Sequence, residues 1–437
     1  SSSESKSRSL GYTANVNYSY DNRYFVDGSF LADGSSLFGG NNRFAPFWSA
    51  GMGWNIHHED FMASQDFVSN MKLRGSVGES GSQNFSSYQA LSTYAYYTNQ
   101  RYGVWNGAYL MGHGNPNLKW QKVFQWNVGL DLSFLDGRVS AAFDVYNKHT
   151  RDLLSRRDLQ ASTGFTSYTE NIGEIGNSGV EGMLSVYLIR NLQKRLIWSL
   201  TGKIAYNKNV ILKLSDALKE DTRKALSENI ELGTLLFEGD PTNAIYAVRS
   251  LGIDPSTGKE LYLTKGGEIT ETWKSSDRVF LGTYDPKYRG NISSLFQWGG
   301  FTLNLSFGYH FGGYQYNSTL LSKVEINKNM ISSGNVDRRV YEDRWQQPGD
   351  VKFFKKIDDK STKATSRFVM KESVFELQNV SLQYAFDGPK FKQKTKMQAL
   401  MIGVNMSELL YLSTIRLERG TGYPYSRNAS LSLSVTF

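Results

Sequence analysis

The last nine residues, Ala429-Ser430-Leu431-Ser432-Leu433-Ser434-Val435-Thr436-Phe437, place apolar side chains at every odd position and small hydroxyl side chains at nearly every even one. Because side chains alternate between the two faces of a β-strand, this stretch predicts a strand with one apolar face and one polar face. Soluble sheets also contain such strands. The pattern in the rest of the chain therefore decides whether the apolar face contacts lipid or the core of a soluble protein.

The same alternation recurs along the chain, with apolar side chains at every second position. It is present in residues 12–20, 48–56, 126–134, 139–145, 198–207 and 301–309. Strands of a soluble β-sandwich or β-helix array, the alternative interpretation, average only ~5–6 residues. The longer repeated pattern favours an all-β fold, an antiparallel transmembrane β-barrel.

Charged side chains support the membrane interpretation, because they fall on the polar face of their predicted strand. An Arg or Lys facing lipid at mid-membrane would cost ~2–4 kcal/mol. Aromatic side chains lie toward the ends of the apolar faces, which is typical of interfacial girdles. The charged residues are Lys72, Arg74, Asp131, Asp144, Glu181 and Lys203, and the aromatic residues are Trp48, Trp54, Trp126, Phe134, Trp198 and Tyr206.

The composition excludes several other classes of protein. Among the 437 residues there is no cysteine, which excludes disulfide frameworks and thiolate metal sites. The chain contains no run of ~18 apolar residues, so no membrane-spanning helix is predicted. The net charge of +8 is not concentrated in any one segment. It is therefore better explained by basic loops than by a nucleic-acid-binding surface, and we expect no nucleic-acid partner.

The connections between predicted strands alternate between short and long, as in barrels with short periplasmic turns and long external loops. This alternation predicts thirteen strands, with residues 10–20 and 428–437 both running inward, and a short hairpin at 244–264 within an external loop. The predicted short links are 21–23, 135–138, 191–195 and 297–300, and the predicted long loops are 33–45, 80–118, 209–287, 312–373 and 407–426.

An odd number of strands has a consequence for barrel closure. Single-chain bacterial barrels have an even number, and an open edge in lipid leaves backbone groups unpaired. We therefore expect residues 1–437 to be a single domain, the carboxyl-terminal portion of a larger barrel completed by a companion polypeptide. Residues 10–20 are then expected to pair with a strand of that companion and not with residues 428–437.

A series of short motifs follows along nearly the whole chain. The first is Asp33-Gly34-Ser35-Ser36-Leu37-Phe38-Gly39 followed by Asn41-Asn42-Arg43. The later motifs occupy residues 53–54, 59–62, 73–78, 115–120, 146–148, 171–174, 252–258 and 377–380. In this order, the set resembles the SusC/RagA-type TonB-dependent transporters of Bacteroidetes.

The resemblance implies a bacterial outer-membrane barrel of ~22 strands, in contact with the lipid bilayer and lipopolysaccharide. It also implies a plug inside the barrel, on which TonB pulls, and a SusD-like surface lipoprotein above it. The plug and the first strands have no counterpart in residues 1–437, so we expect them either on the companion polypeptide or to be absent. In such barrels the terminal aromatic residue, here Phe437, belongs to the assembly signal.

The function implied is import of a nutrient, an oligosaccharide or a peptide, driven by the proton gradient of the inner membrane. No substrate bond is broken, so we expect neither an enzyme nor a cofactor. One alternative is a passive outer-membrane channel of ~14 strands in which this chain is complete. Another is a structural or secretion-associated barrel with no transport role.

Two segments have residue types that could serve a metal site. His57-His58-Glu59-Asp60 combines potential ligands, but adjacent side chains of a strand point to opposite faces. Asp254-Pro255-Ser256-Thr257-Gly258 supplies oxygen atoms without the spacing of an EF-hand. Both patterns favour turns, and we expect no metal site and no catalytic constellation.

Aromatic and polar side chains in the predicted external loops are the candidates for ligand binding. Aromatic faces stack on sugars and peptides, and polar side chains supply oriented hydrogen bonds. For each residue the alternative is packing between loops or against a partner. The candidates are Tyr96, Arg101, Tyr102, Trp105, Trp273, Trp345 and Tyr423.

Deletion of Phe437 is expected to lower the amount of barrel inserted into the outer membrane, because the terminal aromatic residue would be missing from the assembly signal. Quantitative immunoblots of outer-membrane fractions measure this, with Phe437→Tyr as the aromatic control. An unchanged outer-membrane level after deletion would show that Phe437 is only a lipid-facing anchor.

Overall fold

The computed structural model describes residues 6–38, 42–82, 90–158, 164–165, 167–171, 173–229, 235–416 and 427–437. The strands are β1 Ser9–Tyr20, β2 Tyr24–Ser35, β3 Phe44–Asn55, β4 Val68–Ser82, β5 Thr93–Tyr102, β6 Trp105–Gly112, β7 Gln121–Phe134, β8 Val139–Arg151, β9 Leu154–Asp158, β10 Ser167–Asn171, β11 Gly173–Asn191, β12 Leu196–Leu214, β13 Ala244–Ile253, β14 Glu260–Leu263, β15 Ile269–Thr270, β16 Arg278–Thr283, β17 Tyr288–Trp298, β18 Phe301–Tyr316, β19 Val369–Phe386, β20 Ala399–Ser413 and β21 Asn428–Thr436.

The helices are short and lie in the connections. Within the described ranges, no helix is long and apolar enough to cross a membrane. The α-helices are α1 Asp216–Ser227, α2 Ser318–Lys323, α3 Lys328–Ser333, α4 Arg339–Glu342 and α5 Pro389–Thr395, and the 3-10 helices are Ile56–His58, Asp60–Met62, Ser275–Asp277 and Ser366–Phe368.

Thirteen strands form one antiparallel sheet, in the order β1-β2-β3-β4-β7-β8-β11-β12-β17-β18-β19-β20-β21. The predicted number of strands is confirmed. Each strand of this sheet pairs with the members of the sheet that come directly before and after it along the chain, as in the wall of an up-and-down barrel. The edge strands β1 and β21 pair with β2 and β20 and, within the described residues, not with each other.

Several strands are longer than the ~9–11 residues that a tilted strand needs to cross a bilayer. β11 and β12 have 19 residues each. The prediction that a loop begins at residue 209 is wrong, because β12 continues to Leu214. Its polar end is held in the ladder by side-chain amides: Asn207 Nδ2 and Asn209 Nδ2 donate to Asn177 Oδ1 over 3.3 and 3.0 Å.

The connections differ from the predicted pattern in further places, including the ends of β18 and β20, which continue into the loops predicted to begin at 312 and 407. Residues 152–172, which were not predicted as a long loop, contain the hairpin β9–β10. On the periplasmic side, residues 56–67 and 387–398 are longer than turns and contain the first two 3-10 helices and α5. Tertiary hydrogen bonds order the first of them, since Glu59 accepts from Tyr24 Oη (2.7 Å) and Trp54 Nε1 (2.9 Å).

The two faces of the large sheet have the predicted polarity. Large apolar side chains on one face are open to the surroundings, and Met52 and Leu431 are 70% and 76% exposed. The opposite face contains charged side chains, among them Arg74, which contacts Asp131 and Asp144. Because so much exposed apolar surface is unfavourable in water, the first face is the lipid-facing side of a barrel wall.

The external loops 215–287 and 317–368 fold together into a structured unit, which we call the cap. The hairpin predicted at 244–264 is confirmed within it, as β13 and β14 of a four-stranded sheet with the order β15-β14-β13-β16. A small core of buried side chains lies beside this sheet. Its buried members are Leu320, Val324, Ile326, Val340, Phe354 and Phe368.

A buried ion triad joins the two loops of the cap. Arg367 Nη2 lies 2.9 Å from Glu260 Oε2 and 2.6 Å from Glu325 Oε1, and no more than 4% of each of these side chains is exposed. Thr365 Oγ1 donates to Glu260, and Thr362 Oγ1 donates to Glu325. Burial opposes ionisation of Glu260, but the hydrogen bonds and charge of Arg367 outweigh it and lower the pKa of Glu260.

The lipid-facing register predicts different effects at two adjacent positions of β18. Leu305→Arg should reduce the yield of folded barrel, because a lipid-facing Arg near mid-membrane costs ~2–4 kcal/mol. Asn304→Arg, on the inner face, should be tolerated better. Heat-modifiability on gels measures the folded fraction of each variant. Equal losses from both replacements would contradict the register.

The ion triad predicts that removing only its cation is worse than removing all three charges. Arg367→Met leaves Glu260 and Glu325 buried without a cation, which costs ~3–5 kcal/mol. The triple variant Glu260→Gln/Arg367→Met/Glu325→Gln should cost less. Hydrogen–deuterium exchange of residues 244–283 and 317–368 measures opening of the cap, and equally fast exchange in both variants would count against the triad as the link.

The same triad predicts a loss of cap stability in acid. A carboxylate with a lowered pKa stabilises the folded state above its unfolded pKa, 4.5 for Glu, and this contribution is lost as pH falls through the lower folded value. Exchange in the cap, corrected for the intrinsic rate, should therefore rise below about pH 4.5. The increase in exchange at low pH should be smaller in the triple variant than in the unaltered protein. Identical pH profiles of the two proteins would contradict the prediction.

Candidate functional site

A charged network crosses the inner face of β4, β7 and β8. Arg74 donates from Nε to Asp131 Oδ2 (3.0 Å) and from Nη2 to Asp144 Oδ2 (2.6 Å), while Asn127 Nδ2 donates to Asp144 Oδ1 (3.1 Å). Gly129 lies between Arg74 and Asp144 in the ladder. A Cβ there would stand 2.5 Å from Arg74 Cζ, so a larger residue at this position would displace Arg74 from its present contacts.

Beside this network lies an open cavity of about 790 Å³ on the inner wall. Its volume is within the ~300–1,000 Å³ of small-ligand sites. Residues 284–286 border it on the external side. Its ionisable lining consists of the carboxylates Asp144, Glu181, Glu372 and Glu376 and the bases Lys203, Arg289 and His310. The wall therefore offers charge and hydrogen-bonding groups to whatever occupies the lumen, as expected for a polar barrel interior.

Sequence reasoning missed part of this inner cavity. Lys203, Asp144 and Glu181 were placed on the polar face, but Arg289, His310 and Glu376 were not recognised as facing the same space. The period-two pattern contained the signal, since Arg289 alternates with Tyr288 and Gly290 in β17. What brings these residues together is the register across six strands, β8, β11, β12, β17, β18 and β19.

The histidine-containing segment at 57–60 forms two short 3-10 helices. The backbone N–H of Met71 donates to His57 Nδ1 over 3.3 Å, and His58 Nδ1 lies 3.2 Å from the carbonyl oxygen of Asn22. Among the residues that the structure describes, no group of three His, Cys, Asp or Glu side chains is arranged to hold a metal ion.

The Asp254 loop is a turn stabilised by its own side chain. The backbone N–H of Ser256 donates to Asp254 Oδ1 over 2.9 Å, and Thr257 Oγ1 donates to Asp254 Oδ2 over 2.9 Å. These hydrogen bonds lower the pKa of Asp254. The carboxylate is therefore engaged within the turn.

One group of the candidate ligand-binding residues lies on the hairpin β5–β6. Arg101 pairs with Asn106, and Tyr102 pairs with Trp105, next to the turn. The side chains of Tyr96 and Trp105 are 72% and 74% exposed. The hairpin thus presents aromatic and cationic side chains outward, which is an arrangement suited to a ligand or to a partner protein.

The two candidate tryptophans of the cap are tied to its backbone. Trp345 Nε1 donates to the carbonyl oxygen of Pro255 over 2.8 Å. Its ring also lies against Gly258, where a Cβ would stand only 2.4 Å away. Trp273 Nε1 donates to the carbonyl oxygen of Ala364 over 2.9 Å. Both residues therefore connect the two loops of the cap, whatever else they bind.

The structure places the candidates in separate elements, the hairpin β5–β6 and the cap. Tyr423 lies outside the described residues. Phe437 follows β21, in phase with Leu431, Leu433 and Val435 on the lipid-facing side. Its proposed part in assembly stays a prediction.

Comparison with known proteins agrees with this geometry. The family model described as TonB dependent receptor-like, beta-barrel matches residues 1–327. TonB-dependent receptor P3 of Formosa agariphila is 28% identical over 391 residues, which are 84% of this chain and 37% of the relative. TonB-dependent receptor SusC of Bacteroides thetaiotaomicron is 26% identical over 357 residues, 75% of this chain and 33% of SusC.

Among solved structures, the RagAB peptide transporter aligns with a TM-score of 0.84 and 24% identity, covering 99% of this chain and 48% of that one. This likeness shows the fold. The chain thus spans between a third and two fifths of the length of these two curated relatives and about half of the solved chain.

The family-model match and the thirteen-stranded sheet lead to the same assignment. An apolar face toward lipid and a charged inner wall are the two surfaces of a barrel in the bacterial outer membrane, where proteins of this family reside. The chain belongs to the TonB-dependent receptor β-barrel family and is of the SusC/RagA type.

Proposed function

We propose that this chain provides the carboxyl-terminal barrel strands of an outer-membrane importer that takes up an oligosaccharide or a peptide with energy delivered through TonB. The observation that carries the proposal is the combination of an apolar outer face, a charged inner wall and a folded external cap on one sheet. Similarity to SusC and to the RagAB peptide transporter supports it.

The free edges of the sheet support a larger barrel. Within the described residues, β1 and β21 each pair on one side only. Unpaired backbone groups cost several kcal/mol each in lipid, so both edges need further strands. We propose that these strands, together with a plug in the lumen, complete the barrel, on the same polypeptide or on a companion. A passive channel made by this chain alone would instead require β1 to pair with β21.

The inner wall and the cap would have different tasks in import. The carboxylates and bases of the inner cavity would contact the plug through charge-assisted hydrogen bonds, which can be exchanged for water when TonB pulls the plug. The cap would form the floor on which a SusD-like lipoprotein closes over the ligand. Solved structures of RagAB carry the descriptions 'open-open' and 'closed-closed', which supports a lid-like partner in this proposal.

No step of this mechanism breaks a covalent bond. The chain would position the ligand by hydrogen bonds and stacking, and the proton gradient of the inner membrane would supply the work. The relatives are named as receptors and transporters, which supports a role that is not enzymatic.

A deletion strain should lose growth on one class of oligosaccharide or peptide, and uptake of that nutrient should depend on TonB. The measurement is growth on a panel of both classes, followed by uptake of the labelled nutrient with and without TonB and with a protonophore. Uptake of a small porin substrate is the control.

Two outcomes would contradict the import mechanism. Uptake that persists without TonB and with a collapsed proton gradient would indicate a passive channel. Normal growth of the deletion strain on every nutrient of the panel would indicate a structural barrel.

A further inference from the structure

The cap contains a second cavity, of about 820 Å³, which the import mechanism does not yet use. We call it the lysine groove. It is formed by residues of both cap loops, near the ion triad. It is lined by Asn229, Gly258, Lys259, Glu260, Tyr262, Glu271, Thr272, Trp273, Lys355, Lys356, Asp358, Lys360, Ser361, Thr362 and Lys363.

The groove is positively charged. In the described part of its lining, five lysines against three carboxylates give a net formal charge of +2. Glu260 is already engaged by Arg367, and the other two carboxylates lie beside lysines: Glu271 Oε2 is 2.5 Å from Lys259 Nζ, and Asp358 Oδ2 is 3.1 Å from Lys355 Nζ.

Lys356 and Lys360 are the cations most available to a ligand. In the part of the chain that the structure describes, neither ammonium group forms an ion pair with a carboxylate. The backbone around them is fixed, since the N–H of Lys356 donates to the carbonyl oxygen of Gly258 over 2.9 Å and the N–H of Lys360 donates to Asp358 Oδ1 over 3.0 Å. Two ammonium groups are therefore held on a fixed wall without an internal counter-charge.

The remaining lining distinguishes sugars from peptides. Trp273 is half-buried, with its N–H bound to Ala364. The hydroxyls of Thr272 and Ser361 line the same cavity, as does the amide of Asn229, whose oxygen accepts from the N–H of Ser275. Among the residues that the structure describes, no Leu, Ile, Val, Met or Phe lines the groove. Peptide side chains need apolar pockets, whereas sugars offer hydroxyl groups and ring faces that suit amides, hydroxyls and an indole.

We propose that the lysine groove binds a short acidic oligosaccharide, with carboxylate groups contacting Lys356 and Lys360 and a sugar ring near Trp273. The inference rests on the proposed import function, because it names the substrate class that the external side of the importer would select. Lysine ammonium groups are compact point charges without a fixed fork, so the groove selects for negative charge rather than for one acidic group.

Isothermal titration calorimetry tests the proposal on the purified outer-membrane protein that contains this chain. The probes are tri-galacturonate, the neutral trisaccharide maltotriose and the acidic peptide tri-glutamate. Tri-galacturonate is expected to bind most tightly, and its affinity should fall with added salt because exposed charge contacts are screened. Equal binding of maltotriose, or tighter binding of tri-glutamate, would overturn the assignment to an acidic sugar.

The matched variants are Lys356→Gln/Lys360→Gln in the groove and Lys390→Gln/Lys394→Gln in α5 on the periplasmic side. All four side chains are exposed or half-exposed, and each variant removes two positive charges. The groove variant should weaken tri-galacturonate binding about tenfold, because two charge-assisted contacts are lost. The α5 variant should leave the affinity unchanged.

The single charge reversal Lys360→Glu, verified as folded by heat-modifiability, should weaken binding of tri-galacturonate further. Unchanged affinity in both groove variants would overturn the proposal. Uptake assays separate this result from the import function. If tri-galacturonate binds to the unaltered protein but is not taken up in a TonB-dependent way, the import function is contradicted. If uptake depends on TonB but binding does not change in the groove variants, the assignment of the lysine groove is contradicted.

Discussion

Hydrocarbon offers no hydrogen-bonding partner to a peptide group, and the whole architecture depends on this constraint. A strand in lipid must pair along both edges, and its side chains must divide between lipid and an enclosed interior. The thirteen-stranded sheet meets both requirements for its inner strands. Once the apolar face is committed to lipid, the alternating side chains must face inward, and the charged network around Arg74 and Asp144 is the consequence.

Outside the membrane the constraint changes, because water is available and loops are free to fold by packing. The cap uses this freedom to form a small core and a buried ion triad between Glu260, Glu325 and Arg367. A buried triad of this kind adds little net stability, because desolvation offsets the attraction of the charges. We infer that its role is specificity, because it favours the arrangement of the two loops that brings both carboxylates to the same guanidinium. The lysine groove lies beside this linked region, so its shape depends on the same arrangement.

The proposed division of tasks follows from these two environments. The inner wall contains opposite charges on neighbouring strands, which suits contacts that must form and separate within a wet lumen. The two loops of the cap are joined by the ion triad, and the ammonium groups of Lys356 and Lys360 have no carboxylate partner among the described residues, which suits the selection of a ligand before transport. Trp273 and Trp345 lie on the seams between the cap loops, where their N–H groups are bound to backbone carbonyls. A tryptophan so anchored presents a surface that changes little on binding.

The strand number, the lipid-facing side, the hairpin within 244–264 and the family can all be inferred from the sequence, because a period-two pattern and short motifs are local properties of the chain. Tertiary structure alone decided features that depend on distant partners. β12 extends to Leu214 because it stays paired with β11 as far as Gly173, and the segment 56–67 is ordered by Tyr24 and Trp54. Glu260 and Arg367, which look like ordinary surface residues in the sequence, become a buried pair. The lysine groove likewise combines residues of two loops, and no local pattern specifies which loops meet, since that depends on packing over long sequence separations.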